Sequence, residues 1–404
     1  MPLPRASLSS FLTSAKSILS NPSKHSTPLT FIIGNESAGK SYPCTLHPPI
    51  PALLFAYLRT YAPTSRTFYI PLSNIPRADL SLRPELIPVL TRANLKPSDL
   101  LTLSDLPPRS SPELKHARWV LVDHNALQGE LGKAYGGNVV GCVDHHDEEH
   151  KIPVSRSSGD IEEPRIVEKS GSCASLVVRY CRSAWDGLSL EQADVEGDKE
   201  LASLAVAAIL VDTQNLTAES KTMEVDREAV GYLQRKWGGE RGDREGYLGE
   251  ITTAKEDIGG LGLEDIFRKD YKQWTEQEGF NIGVSSVVKD LGYLIKKTKD
   301  KGKFFDILRE FASDRELDVC SIMTTSHEEG AFRRELLVWA LNEKGVEAAK
   351  KFEASSRERL GLKKWNEGRL DMDSEKEWRR CWWQQRVEHS RKQVAPLLRA
   401  AINS

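Results

Sequence analysis

The chain has 404 residues, of which 39% are hydrophobic and 28% are charged, and its formal net charge is −2. This balance is typical of a folded protein with two or more domains, and it gives no sign of a general nucleic-acid-binding surface. No apolar run is long enough to span a bilayer, so we expect no membrane partner.

The first twenty residues are Ser-rich and mildly amphipathic, and they predict a helix that docks onto the fold. They lack the continuous apolar core of a secretion signal, so we expect a cytoplasmic location, with an organellar one as the alternative. The six cysteines show no CxxC spacing and fit reduced thiols.

The first predicted strand, Pro28 to Gly34, leads into a phosphate-loop pattern. Gly34 to Ser41 matches G-x-x-x-x-G-K-S/T, which cradles nucleotide phosphates where a helix begins. Four prolines between Pro43 and Pro51 would break such a helix, so helical spacing is expected to resume only at Ala52. A nucleotide-binding module is therefore the less favoured interpretation of this loop.

Three apolar elements end in residues that bind metal ions. A strand beginning at Arg118 leads into Asp123-His124-Asn125, the strand from Val139 into Asp144-His145-His146-Asp147, and the helix Leu201 to Leu210 into Val211-Asp212. The carboxyl ends of parallel strands meet at one edge of a sheet, where ligands bind. Asp and His bind zinc, manganese and iron, and two such ions close together activate a bridging water. The set predicts a paired-metal site, although each residue alone could be structural.

Two further features could bind anions. Gly171 to Ser175 opens a predicted helix with small residues, which leave backbone N–H groups free for an anion or for a plain cap. Ser390-Arg391-Lys392 offers a guanidinium and an ammonium group to phosphate, or is a solvated basic segment.

The Gly-rich, charged stretch 236–249 predicts a boundary between a first domain, residues 1–235, and a second domain, residues 250–404. Strands are predicted at Phe280–Val288, Leu317–Thr324 and Glu335–Leu341, and helices at Phe304–Arg315, 343–360 and Leu397–Ile402. We expect two α/β domains: a parallel sheet of about five strands in the first, and a smaller mixed sheet in the second. The active site should lie in the cleft between them.

These motifs, in this order and spacing, resemble the DHH phosphoesterase superfamily. Gly34-Asn35-Glu36-Ser37-Ala38, Gly171-Ser172-Cys173 and Ser390-Arg391-Lys392 narrow the resemblance to the fungal cytosolic exopolyphosphatases, which are related to family II inorganic pyrophosphatases and prune proteins. The resemblance extends from about Phe31 to Pro396. It implies hydrolysis of terminal phosphate from linear inorganic polyphosphate, or of another small phosphate substrate.

The resemblance also implies a role for each site residue and a pair of divalent ions, Mn or Mg. Asp123 would bridge the two ions, and His145 and Asp212 would hold one of them. Asn35 would occupy the first metal-binding position, and His146 would contact a phosphate oxygen beside the catalytic Asp123 and His145. The remaining substrate-binding residues would be Ser390, Arg391, Lys392 and, as a weaker candidate, Lys272.

One motif departs from the family. The family continues after Ala38 with Asp-x-Asp-Ser, whereas this chain has no Asp between Ser37 and Asp79. Two carboxylate ligands are therefore missing, and residues 39–51 are either a genuine replacement or an error in the gene model. Two alternatives to an exopolyphosphatase stay open: a prune-like phosphodiesterase or a pyrophosphatase, and an inactive polyphosphate-binding relative.

Overall fold

The computed structural model describes residues 3–22, 28–35, 49–152, 163–238, 241–328 and 330–402. The chain forms two compact units and passes from the first to the second between Asp257 and Ile258. None of the helices in the described ranges is long and apolar enough to cross a membrane.

The first unit contains five strands and nine helices among its described residues. The strands are β1 (Thr30–Gly34), β2 (Tyr69–Leu72), β3 (Arg118–Val122), β4 (Val139–Asp144) and β5 (Arg165–Val167). The helices are α1 (Leu8–Ser20), α2 (Pro49–Tyr61), α3 (Leu86–Thr91), α4 (Pro112–Lys115), α5 (Gly129–Tyr135), α6 (Cys173–Glu191), α7 (Val195–Thr213), α8 (Glu224–Trp237) and α9 (Arg241–Glu256).

The strands of the first unit form one parallel sheet in the order β2-β1-β3-β4-β5. The apolar run in β3 is buried on both faces, as its continuous hydrophobicity predicts: Val120, Leu121 and Val122 are fully inaccessible. The amphipathic start also forms a helix, and α1 buries Phe11 and Leu12 against the core. The predicted parallel sheet of the first unit is therefore confirmed.

The second unit contains seven strands and five helices among its described residues. The strands are β6 (Tyr271–Thr275), β7 (Asn281–Val287), β8 (Val319–Glu328), β9 (Ala331–Ala340), β10 (Leu362–Lys364), β11 (Met372–Asp373) and β12 (Trp378–Gln384). The helices are α10 (Leu263–Lys269), α11 (Leu291–Thr298), α12 (Lys301–Ser313), α13 (Glu343–Leu360) and α14 (Arg391–Ala400).

The second sheet has the order β10-β12-β9-β8-β7-β6, with β11 beside β12. Only β7 and β8 run parallel, so the sheet is mixed, as predicted. Along β9, Leu337 and Trp339 face one apolar core, and Leu336 and Val338 face another. The unit is the smaller of the two, but its sheet has more strands than the first, against our expectation.

Two helix starts differ from the predictions because of proline. Helix α2 begins at Pro49 instead of Ala52, since the first turn of a helix needs no intrahelical N–H bond and tolerates proline. Helix α14 begins at Arg391 instead of Leu397 and continues through Pro396. The phosphate-loop pattern lies, apart from Gly34 and Asn35, outside the described residues.

Within the Gly-rich stretch 236–249, the described residues 236–237 and 241–249 are helical, where the sequence predicted a linker. It contains the end of α8 and the first half of α9, so the division between the units lies downstream of the predicted boundary. Tyr247 and Ile251 of α9 are buried in the core of the first unit. Their burial outweighs the low helix propensity of the glycines around them.

Candidate functional site

The carboxyl ends of three neighbouring strands place the predicted metal ligands at one edge of the first sheet. Val122 of β3 pairs with Gly34 of β1 on one side and with Val143 of β4 on the other. The residues that follow these positions, Asn35, Asp123 and Asp144, therefore lie side by side along that edge.

Asp123 occupies an unusual backbone position. Its φ of 69° is in the left-handed region, which Asp tolerates better than most residues. Its N–H donates to the Val143 carbonyl at 2.9 Å, and the residue is only 3% exposed. Such conformations persist where the surrounding structure holds them in place, and they are concentrated at functional sites.

Asp123, His145 and His146 form a group whose ligand atoms all lie within 4.8 Å of one another. The His145 Nε2 atom lies 3.1 Å from Asp123 Oδ1, and its Nδ1 atom lies 2.9 Å from the Ser170 carbonyl oxygen. Because a carbonyl only accepts hydrogen bonds, Nδ1 donates to Ser170, and in the neutral form of the ring the Nε2 lone pair faces Asp123. A carboxylate oxygen and an imidazole lone pair that face each other fit a divalent cation.

Asp144 holds the turn that carries the two histidines. Its Oδ1 accepts from the backbone N–H groups of His145 at 2.8 Å and His146 at 3.2 Å, and from His146 Nδ1 at 2.8 Å. Its Oδ2 accepts from Asn125 Nδ2 at 2.6 Å, and the residue is fully buried. Burial favours the neutral acid, but the hydrogen bond and charge of His146, with the Asn125 bond, lower the pKa of Asp144 overall.

Asp212 lies in the last turn of α7 and is not a member of the group whose ligand atoms lie within 4.8 Å of one another. The Cys173 thiol is buried in the first turn of α6 and donates to the Val143 carbonyl at 3.2 Å. Burial raises the pKa of Cys173 most, and the charges of Asp123, Asp144 and Asp212 raise it further. The buried thiol is therefore neutral.

His124 is a residue to which the sequence gave no role of its own. It is buried, and its Nδ1 lies 3.0 Å from the Val122 carbonyl oxygen. Its Nε2 has no hydrogen-bond partner within the described part of the chain. Burial lowers the pKa of this ring, so the imidazole is neutral.

The start of α6 is capped by a side chain. The carboxylate of Asp226, on α8, accepts from the N–H groups of Gly171 at 2.8 Å and Ser172 at 3.1 Å, and from Ser175 Oγ at 2.6 Å. Asp226 is fully buried. These donors are therefore used by a cap within the protein. Of the two alternatives that the sequence left open, an anion site and a plain helix cap, the contacts match the helix cap.

The predicted phosphate-binding residues lie in the second unit. The guanidinium of Arg391 donates to the carbonyl oxygen of Asp270 at 2.8 Å and to its Oδ1 at 2.6 Å. Ser390 caps α14, and its side chain accepts from the N–H of Lys392 at 3.3 Å. Desolvation and the nearby cations Arg391 and Lys392 lower the pKa of Lys272, so these basic residues form one positive cluster. The Asp270 partner of Arg391 was not predicted from the sequence.

Comparisons with known proteins connect both units to one family. A family model of the DHHA2 domain matches residues 249–401. A Schizosaccharomyces pombe protein described as a candidate exopolyphosphatase is 30% identical, over 98% of this chain and 96% of its own length. Exopolyphosphatase PRUNE1 of Rattus norvegicus is 28% identical over 74% of this chain and 60% of its own length. A candidate manganese-dependent inorganic pyrophosphatase of Deinococcus radiodurans is 31% identical over 41% of this chain and 48% of its own length.

Proposed function

Because this chain belongs to the DHH phosphoesterase superfamily, we propose that it is a metal-dependent exopolyphosphatase that releases terminal orthophosphate from linear inorganic polyphosphate. At a coarser level the chain is a hydrolase of phosphoanhydrides. The observation that carries the proposal is the group formed by Asp123, His145 and His146 at the carboxyl edge of the parallel sheet.

We assign a divalent metal, Mn or Mg, to Asp123 and His145, with Asp212 and Asn35 as further ligands. The tautomer that Ser170 imposes on His145, with the Nε2 lone pair directed at Asp123, supports this assignment. Bound metal would supply a nucleophile at neutral pH and neutralise charge on the reacting phosphate. Two ions are expected from the family resemblance.

The protein side chains would orient the substrate. We propose that His146, whose Nδ1 is held by Asp144, presents its Nε2 to an oxygen of the terminal phosphate. Arg391, Lys392 and Lys272 would bind the phosphate chain, with Ser390 beside them. Arg391 is suited to this task because Asp270 holds its planar guanidinium in one orientation. A cytoplasmic location is also part of the proposal.

The missing Asp-x-Asp motif supplies the test. Without these carboxylates we expect low turnover, since fewer negative ligands remain for the cations. The double variant Gly39→Asp with Ser41→Asp restores the family pattern and should raise release of orthophosphate from polyphosphate in the presence of Mn or Mg. Adding Asp123→Asn to that double variant should abolish the gain, whereas adding Arg359→Gln, on the exposed face of α13, should not.

Two outcomes would count against the assignment. A folded, restored protein that stays inert on polyphosphate, pyrophosphate and short nucleotide phosphates would end the hydrolase proposal. Binding of polyphosphate without added metal and without hydrolysis would favour an inactive binding protein. The pyrophosphatase relative favours comparing substrates side by side, since faster turnover of pyrophosphate or cyclic nucleotides would reassign the substrate.

A further inference from the structure

Arg334 lies where the β8–β9 hairpin leaves the second sheet. The pairing of the two strands continues from Thr325 and Arg334 to the hairpin tip. Strand β7 pairs with β8 only as far as Thr324, and β12 pairs with β9 only as far as Glu335. Arg334 is therefore the first residue of β9, counted from Glu335 toward the hairpin tip, that pairs with β8 alone.

This face of the sheet also carries the predicted phosphate-binding cluster. Side chains alternate along a strand, so Arg334 lies on the same face as Leu336, which packs in one core with Val394 of α14. Lys272 lies opposite Val284, a member of that same core. Lys272, Arg334 and helix α14, which begins at Arg391, thus share one face of the sheet.

Arg334 is held in place but has no counterion. Its Nε donates to the Val387 carbonyl at 2.7 Å, and its guanidinium lies 5.0 Å from the ring centre of Phe332. The side chain is half-buried, and this desolvation lowers the pKa of Arg334. No carboxylate among the described residues lies within salt-bridge distance of it, whereas Asp270 neutralises Arg391 on the same face. A partly desolvated guanidinium whose two terminal NH₂ groups have no hydrogen-bond partner among the described residues is suited to binding phosphate.

The contact with Val387 ties Arg334 to the segment that ends in the phosphate-binding residues. Residues 385–390 connect β12 to α14, and the Gln384 side chain fixes them by donating to the carbonyls of Arg386 at 2.8 Å and His389 at 2.6 Å. Arg334 therefore lies beside the segment that leads into Ser390-Arg391-Lys392.

We propose that Arg334 binds inner phosphate groups of a linear polyphosphate whose terminal groups are bound by Arg391 and Lys392. This inference rests on the proposed function for the identity of the anion. Three strand spacings separate β9 from β6, beside which Asp270 holds Arg391, so the backbones of Arg334 and Asp270 lie roughly 14 Å or more apart across the sheet. We therefore expect pyrophosphate, with its single bridging oxygen, to be too short to reach both guanidinium groups. Arg334 would therefore make the protein prefer long chains.

Equilibrium binding in EDTA tests this role without metal and without hydrolysis. For Arg334→Gln we expect affinity for long-chain polyphosphate to fall about tenfold, the effect of one lost charge-assisted hydrogen bond, while pyrophosphate affinity stays unchanged. Arg334→Lys, which keeps the charge but loses the fork, should give a smaller loss. Arg359→Gln makes the same change in net charge on an exposed helix face and should alter neither affinity.

Other affinities of these variants would overturn the inference. Equal losses for both ligands in Arg334→Gln would place the residue in the terminal site, and no loss would show that it contacts no phosphate. Should Arg334→Gln fail to fold, as seen by circular dichroism, wild-type affinity for long chains in Arg334→Lys would equally refute a role for the fork. A protein that binds long chains through Arg334 but hydrolyses none would refute the proposed function and leave this inference intact.

Discussion

Replacing Asp144 by Asn should remove hydrogen bonds that hold the turn carrying His145 and His146, while the side chain keeps its size and shape. The buried carboxylate accepts backbone and ring hydrogen bonds on Oδ1 and the Asn125 amide on Oδ2. An Asn side chain has one acceptor oxygen and one NH₂ group. If its oxygen stays with the histidines, its NH₂ group faces the Asn125 Nδ2 donor at the 2.6 Å separation seen now. If the amide flips, its NH₂ group faces the N–H groups of the turn instead.

The cost follows from these contacts. Hydrogen bonds to a charged group are each worth about 1.5–3 kcal/mol, and a buried donor left without an acceptor costs about 1–3 kcal/mol. Some bonds persist in neutral form, so we expect Asp144→Asn to lower the free energy of unfolding by about 2–4 kcal/mol. We also expect weaker Mn binding, because His145 and His146 would no longer be held beside Asp123.

Urea unfolding and Mn titration measure the two effects separately. Asp147→Asn is the matched control, because Asp147 lies on the same turn but its carboxylate is exposed and pairs with Lys169. This control should match wild type in both measurements. Wild-type stability and Mn affinity in Asp144→Asn would refute the view that this carboxylate positions the histidines.

Three further predictions concern stability. Burial raises the pKa of Glu335, so this group lowers the free energy of unfolding as the pH rises above its unfolded pKa of about 4.3. In urea unfolding, Glu335→Gln should therefore be more stable relative to wild type at pH 7 than at pH 4. Asp226→Asn should lower the free energy of unfolding by about 2–4 kcal/mol, because the buried cap of α6 loses its charge and one acceptor. Pro396→Ala, at an exposed position inside α14, should raise the melting temperature by restoring the N–H that can donate to the Lys392 carbonyl, with a gain of at most about 3 kcal/mol; a lower melting temperature would contradict this account.

The parallel sheet and the edge that carries Asp123, His145 and His146 could be predicted because their signals are local. Val139 to Val143 is a continuous apolar run followed at once by Asp and His. The run indicates a strand buried on both faces of a parallel sheet, and the polar residues that follow it lie at the edge where ligands bind. The helix α13 was likewise predicted with its observed bounds, since an apolar stripe and Gly361 at its end mark them.

The structural features that were not predicted from the sequence depend on contacts between residues far apart in the chain. Nothing in the glycines of 236–249 indicates a helix until Tyr247 is seen buried in the core. The strand β12 was missed because its sequence, WRRCWWQ, places Arg379 inside, where the guanidinium lies over the Phe305 ring. Likewise, neither Asp226 nor Asp270 carries a local motif, and only the fold brings each to its partner.

The first unit carries the proposed metal ligands, and the second unit carries the basic residues proposed to bind phosphate. Without the carboxylates of Asp-x-Asp, this distribution of charge should make metal binding depend on substrate binding. The two divalent cations of the proposed site would carry more positive charge than Asp123 and Asp212 can neutralise, and the other ligands proposed for them, His145 and Asn35, are uncharged when they bind metal. The residues proposed to bind the anion cannot supply the deficit, since Lys272, Arg391 and Lys392 add positive charge. The missing negative charge must then come from the phosphate chain, so Mn affinity should rise when polyphosphate is present. Restoring both carboxylates should remove most of that dependence, because the protein would then neutralise the cations itself.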